Sequence, residues 1–154
     1  MKAQIKYHYI SPNQGLELTL KLMFEAEKIA LKDRDFVKWV ANNFKYFGTV
    51  EGKSFCVWNY VIHNFKFKQD DFDETIINPR LMPIIKKGDC DDFALFIKTV
   101  LKILGINSYY ILFGKKINEF SHVAVFVNKN LIIDGTNKEF NKLPEKYISA
   151  KVIE

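Results

Sequence analysis

The stretch Gly88-Asp89-Cys90-Asp91-Asp92 decides how the rest of this chain is read. Asp89 is a good helix N-cap, and Asp92 three residues on completes a capping-box arrangement, so Cys90 becomes the first helical residue. Gly88 permits a sharp approach to that helix. From Asp91 to about Leu104 the residues Phe93, Phe96, Ile97, Val100, Leu101 and Leu104 keep a broad apolar face, and Gly105 supplies the stop. Unpaired backbone N–H groups at a helix start favour a thiolate and can hold an oxyanion. Asp89, Asp91 and Asp92 oppose this by raising the thiol pKa, so the helix end alone does not activate Cys90 and an imidazolium nearby is needed.

His122 is the candidate base. Downstream of the helix the period changes from helical to strand-like: Ser108–Phe113, the β-branched run His122–Val127, and Leu131–Asp134 read as strands. Asn128-Lys129-Asn130 reads as the hairpin turn between the last two. With a three-residue loop Val127 faces Leu131, and His122 and Asp134 fall on one face as diagonal neighbours, roughly 7–8 Å apart at the backbone. A two-residue loop would put them on opposite faces. Cys90, His122 and Asp134 then supply a nucleophile, a base and a group that orients the base. Taken singly each has a plainer reading: a small buried cysteine, a structural or surface histidine, a turn-forming aspartate before Gly135.

Upstream, residues 4–10 alternate loosely as a short strand or extended arm, and Ser11-Pro12-Asn13 is a turn signal. Leu16, Leu20, Met23, Ala26, Ile29 and Ala30 recur at helical spacing from about Gln14 to Leu31. Asp33 caps a second helix with Phe36, Val37, Val40 and Phe44 on one face, ended by Gly48. A third runs from Gly52 to about Phe65, with Phe55, Trp58, Val61, Ile62 and Phe65 buried. Lys66 to Lys87, with Asp70, Asp71, Asp73, Glu74, Pro79 and Pro83, is expected to be an extended, surface-hugging segment. The tail Lys142–Ile153 holds one short strand or helical turn. The layout is α+β, with N-terminal helices and a central Cys-bearing helix packed on an antiparallel sheet.

The chain's 154 residues, 48% apolar and 15% aromatic, allow one real core in one domain. The net charge of +5 comes from lysines spread along the chain, in runs no longer than the pairs Lys86-Lys87 and Lys115-Lys116. We read them as a solvated surface, which makes nucleic acid a third and weakest partner class, resting on charge only. An AT-rich genome would itself enrich Lys, Ile, Asn and Phe. Cys56 and Cys90, the two cysteines, lack CxxC spacing and make no disulfide framework, so both are expected free in a reducing compartment. The acidic segment lacks the spacing of a calcium loop, and the aspartates around Cys90 are explained by capping and solvation. His8 and His63 sit among aromatic residues, in partly buried or surface roles. The amino terminus lacks a signal-peptide pattern and no apolar run approaches a membrane span.

Gly88-Asp89-Cys90-Asp91-Asp92-Phe93-Ala94, Leu104-Gly105-Ile106, Ser121-His122-Val123 and Ile133-Asp134-Gly135-Thr136 together resemble the transglutaminase-like superfamily, which has a papain-like cysteine acyl-transfer fold. The resemblance covers about residues 74–137. The GDCDD form, with an upstream Glu74-x-x-x-x-Pro79, is similar to versions associated with bacteriophage and prophage genomes. It implies a single domain over 1–154: a helical region at 1–65, an extended connector at 66–87, a catalytic core at 88–137 and a C-terminal tail at 138–154. By position, the resemblance makes Cys90 the nucleophile, His122 the general base and acid, and Asp134 the orienting carboxylate. Asn137 is a papain-style substitute for Asp134, which fits the family position better. Two features depart from the pattern. Ala124 stands where many members have Trp two residues after the His, and the further oxyanion donor is unplaced, with Trp58 and Asn59 as candidates and Trp58 also suited to the core.

The function implied is thiol acyl chemistry on an amide or peptide bond, as a peptidase or amidase or an acyl transferase. Hydrolysis is favoured because so short a chain has no large acceptor-binding domains. No cofactor or metal is required. The partner is a protein or peptide substrate in the cytoplasm of a bacterial or phage-infected host cell. The alternative is a phage structural or assembly protein that keeps the fold and triad but acts by binding phage structural proteins in a virion.

Overall fold

The computed structural model describes residues 4–8, 12–44, 48–69, 73–144 and 146–154. Among them, helices and strands run in the order β1 (Gln4–His8), α1 (Pro12–Leu31), α2 (Arg34–Asn43), α3 (Val50–Asn64), β2 (Lys66–Phe67), β3 (Asp73–Ile77), α4 (Met82–Ile85), β4 (Lys87–Gly88), α5 (Cys90–Ile103), β5 (Ser108–Gly114), β6 (His122–Val127), β7 (Leu131–Ile133) and β8 (Ser149–Ile153). The architecture is α+β. The main sheet has the order β7-β6-β5-β8, antiparallel throughout.

α5 is buried over nearly its whole circumference, from Asp92 to Leu101. One side packs on β6 and β5, the other on α1, α2 and α3, so the helix carrying Cys90 is the centre of the molecule. Its C-terminal end closes on itself: Gly105 takes φ +83, its N–H donates to the Lys102 carbonyl, and the Ile106 N–H donates to the Leu101 carbonyl. This pair of bonds is a Schellman motif, and Ile106 and Leu101 are both buried in the core. The sheet alternates as a half-buried sheet should. Tyr110, Leu112, Val123, Val125, Val127, Leu131 and Ile133 enter the main core, while Ile111, Phe113, Ala124 and Ile132 form a smaller cluster on the outer face with Phe126 and Tyr147.

Local signals place the N-terminal helices. The Asp33 side chain accepts from the Phe36 N–H at 3.1 Å, and Thr49 accepts from the Gly52 N–H at 2.9 Å. Several expectations are corrected. Pro12 and Asn13 already belong to α1, where proline suits the first turn, and Ser11 lies outside the described residues. α2 ends at Asn43 rather than at Gly48, because Phe44 turns in to pack its ring edge-on against Trp39 and Tyr60. Phe55 is 43% exposed, its ring resting on Trp58 and Phe140 at the rim.

The segment 66–87 is more structured than an extended connector. β2 pairs in parallel with β4, β3 pairs antiparallel with β1, and a 3₁₀ turn at Pro79–Leu81 leads into α4. The expected acidic cluster falls partly outside the described residues, at Asp70 and Asp71. In the tail, β8 lies along β5 from Tyr110↔Ile153 to Gly114↔Ser149.

Candidate active site

The predicted cap is present in full. Asp89 accepts from the Asp91 and Asp92 N–H groups at 3.1 and 3.4 Å, and the Asp92 carboxylate accepts from the Asp89 N–H at 3.1 Å. The cap does not use the N–H of Cys90. Asp92 is 1% exposed and also accepts from the Ile77 N–H at 2.9 Å, so it ties the helix start to β3. Gly88 serves close packing rather than a sharp turn: a Cβ there would lie 2.7 Å from Asp92 Cβ and Oδ2.

The hairpin has the register that odd loop length demands. Val127 pairs with Leu131 and Val125 with Ile133. Asn128 and Lys129 both take left-handed φ values, 51° and 59°, and the Asn130 N–H donates to the Val127 carbonyl. This is a tight turn of the I′ kind followed by one extra residue, Asn130. His122 and Asp134 therefore share the outer face, and the His122 Nε2 to Asp134 Oδ2 distance is 2.7 Å, with both side chains over 90% buried. The second oxygen of Asp134 accepts from the Thr136 N–H at 2.9 Å and from its hydroxyl at 2.7 Å. Burial works to raise the Asp134 carboxyl pKa, but His122 and the two Thr136 bonds outweigh it and hold the pKa below its ordinary value. The contact engages Nε2 of the imidazole and not Nδ1.

Cys90, His122 and Asp134 line one cavity of about 840 Å³. The structure joins His122 to Asp134 directly and brings Cys90 to the same space. There the thiol meets the Asp91 carboxylate at 3.8 Å and the backbone of Val123, the neighbour of His122, rather than the imidazole itself. The Cys90 thiol pKa stands well above its ordinary value. Burial contributes most, then Asp91 and Asp89, with Asp134 adding a smaller share against the Val123 backbone bond. Asp134 adds to this opposition, while the Asp92 carboxylate is turned inward to the Asp89 and Ile77 N–H groups. The helix start therefore does not outweigh burial and the neighbouring carboxylates.

The two proposed oxyanion side chains are placed elsewhere. Trp58 is core: its indole N–H donates to the Asn137 carbonyl at 3.0 Å and anchors the loop that follows Asp134. Asn59 is absent from the cavity wall, and its main-chain carbonyl meets the ring of the exposed His63 at 2.8 Å. Asn137 lines the cavity, but its side chain accepts from the Glu139 N–H, and Asp134 is the partner of His122.

Gln69 and Tyr147 are among the wall residues that sequence reasoning missed. Gln69 stands two residues after β2 and is one of the residues that line the cavity. Tyr147, from the tail, stacks on His122 with ring centroids 5.4 Å apart and planes 2° from parallel, and Phe113 adds a second ring at 6.1 Å. These rings cover the imidazole although Ala124 stands at the usual tryptophan position. No local pattern flags either residue; a polar or aromatic side chain in a loop has no period to betray it. Cys56 is also free and has a thiol pKa raised by burial. Among the described residues no cluster of His, Cys, Asp or Glu is arranged to hold a metal ion, and no helix is long and apolar enough to cross a membrane.

The sequence matches the transglutaminase-like domain family over residues 16–150. Among solved structures, the chain is similar to a candidate cysteine protease from Cytophaga hutchinsonii, at 16% identity and TM-score 0.58, with 79% of this chain and 43% of that one covered. It is also similar to a candidate protease from Parabacteroides distasonis, at 10% identity and TM-score 0.54, with 70% and 23% covered. This chain thus spans less than half the length of either structure. No curated protein matches it. The fold is that of the papain and transglutaminase-like proteins, and with the family match extending over most of its length the chain belongs to the transglutaminase-like domain family.

Proposed function

We propose that the chain is a single transglutaminase-like domain that performs thiol acyl chemistry on an amide or peptide bond, as a peptidase or amidase. The observation that carries this reading is the 2.7 Å His122–Asp134 contact at the wall of the cavity that Cys90 also lines. Because the Cys90 thiol pKa is raised, the proton moves as attack occurs rather than beforehand. His122 Nδ1 takes the thiol proton, Sγ bonds to the carbonyl carbon, and the carbonyl oxygen becomes an oxyanion. The spare Cys90 N–H and the Gln69 amide are its donors. His122 then returns the proton to the leaving amine, and water resolves the thioester by the same path in reverse. Asp134 keeps the imidazole in the tautomer with Nδ1 free. The candidate proteases among the similar structures support a protein or peptide as the substrate.

The test is acyl-enzyme trapping. With p-nitrophenyl acetate, stoichiometric acylation of Cys90 should appear by mass spectrometry, with little on Cys56 and a large loss in His122→Ala. Equal acylation of the two cysteines, or no dependence on His122, overturns the reading. The contact of the Cys90 thiol with Asp91 rather than with the imidazole favours a second reading in which the cavity binds a protein without turnover, as in a phage structural or assembly role. That reading expects no acyl adduct and a Cys90→Ala variant with undiminished partner binding.

A further inference from the structure

A second depression, of about 520 Å³, lies against β2 and β4, and its walls include Lys66, Lys68, Lys86 and Lys87. The short parallel pairing that builds it sets Lys66 beside Lys87 and Phe67 beside Gly88. The Lys66 N–H donates to the Lys86 carbonyl at 2.9 Å and the Lys68 N–H to the Gly88 carbonyl at 2.7 Å, so both strands are held in register. All four lysines are exposed, and among the described residues none of them pairs with a carboxylate. Like charges gathered on one ribbon repel, and Lys86 in addition takes φ +59, a backbone region disfavoured for a lysine. The charge repulsion among the lysines is relieved when a polyanion covers them.

Phe67 connects this surface to the thiol. It is 57% exposed, and it lines both the lysine depression and the Cys90 cavity. β4 itself runs directly into Asp89 and Cys90. We propose that the lysine groove across β2 and β4 is a docking surface for an acidic polypeptide, which passes over Phe67 into the Cys90 cavity. This rests on the acyl-transfer reading for the identity of the substrate, not for the existence of the surface. A polypeptide fits better than a nucleic acid because Asp89 and Asp91 stand on the cavity wall. A polyphosphate carries a charge at every unit and would meet those carboxylates. A polypeptide can be neutral at the reacting residue and acidic a few residues away.

The experiment uses the full chain with Cys90→Ala, so that binding is read without turnover, and a fluorescent polyglutamate as the probe. A single-stranded oligonucleotide of equal charge is the comparison. Polyglutamate is expected to bind in a salt-sensitive way and more tightly than the oligonucleotide. The variant Lys66→Gln/Lys68→Gln/Lys86→Gly/Lys87→Gln should bind about tenfold more weakly. Glycine at 86 suits the left-handed backbone, so the melting temperature should hold. If that variant does not fold, the pair Lys66→Gln/Lys87→Gln serves instead and should also weaken binding. In the wild-type protein, saturating polyglutamate should slow alkylation of Cys90 but not of Cys56. Tighter oligonucleotide binding, undiminished affinity in the glutamine variant, or unprotected Cys90 each overturns the proposal. Failure of acyl-enzyme trapping with polyglutamate binding intact would overturn the chemistry and leave the surface standing.

Discussion

Two buried contacts between a basic and an acidic side chain in this molecule have the same length. Lys98 Nζ lies 2.7 Å from Glu27 Oε2, and His122 Nε2 lies 2.7 Å from Asp134 Oδ2. Side-chain exposures are 10% and 8% in the first pair and 9% and 4% in the second, so burial does not separate them either. Their surroundings do. Lys98 joins α5 to α1 beneath the rings of Phe24 and Tyr110, at 5.5 and 5.3 Å, and neither member lines the thiol cavity. His122 carries a second ring nitrogen and lines a cavity shared with a thiol. A short, buried contact of this kind is therefore no mark of a functional site by itself; what sets His122 apart is the cavity that it shares with Cys90.

The sharpest way to break the comparison is to change one member of each pair. Asp134→Asn should lower the acylation rate about 10⁴-fold, because the imidazole loses its preferred tautomer, while Lys98→Met should leave the rate per folded molecule unchanged. Pre-steady-state acylation of Cys90 reads both. Stability should respond in the opposite sense. Lys98→Ala should cost about 3–5 kcal/mol in denaturant unfolding, since it strands Glu27 as a buried charge, and the double change Glu27→Leu/Lys98→Met should recover most of that loss. If Lys98→Ala is mild, the core pair is more hydrated than its exposure indicates.

Gln69→Ala should lower the acylation rate about 10²-fold with unchanged melting temperature, the effect of losing one oxyanion donor. Acid sharpens the contrast further. The Asp134 pKa is held below its ordinary value, so the stability it contributes is fully present above the unfolded pKa of about 3.9 and is lost as pH falls through the lower folded value. Wild-type protein should therefore show a steeper loss of stability below about pH 4 than Asp134→Asn does. The smallest effect belongs to the turn: Lys129→Asn, which better tolerates the left-handed φ of 59°, should stabilise by up to about 1 kcal/mol without touching the site.

The features of this arrangement that are legible in the sequence are those set by neighbours along the chain. The Asp89 cap, the Gly105 stop and the three-residue turn before Leu131 depend on residues within a few positions of one another, and the register of a hairpin follows from its turn. The features that escape a reading of the sequence depend on meetings between distant segments. Nothing local marks β1 for β3, β2 for β4 or β8 for β5, and these pairings set the walls that carry Phe67, Gln69 and Tyr147. Lys98 is equally hidden. On a helix with a broad apolar face a lysine reads as solvent-facing, and only the arrival of α1 with Glu27 turns it into a buried charge. Asp92, next to the thiol in sequence, reads as an opponent of the thiolate; the Ile77 N–H that draws its carboxylate inward is supplied by β3, fifteen residues away.

The turn at Asn128-Lys129-Asn130 also governs which length changes the protein can accept. Adding or deleting one residue between His122 and Asp134 reverses the facing of everything beyond it, so a single-codon insertion there should disconnect the two side chains although every residue of the site is retained. Adding two residues restores the facing. Across this short span the molecule tolerates change in even steps, and the count of residues carries as much of the design as their identity.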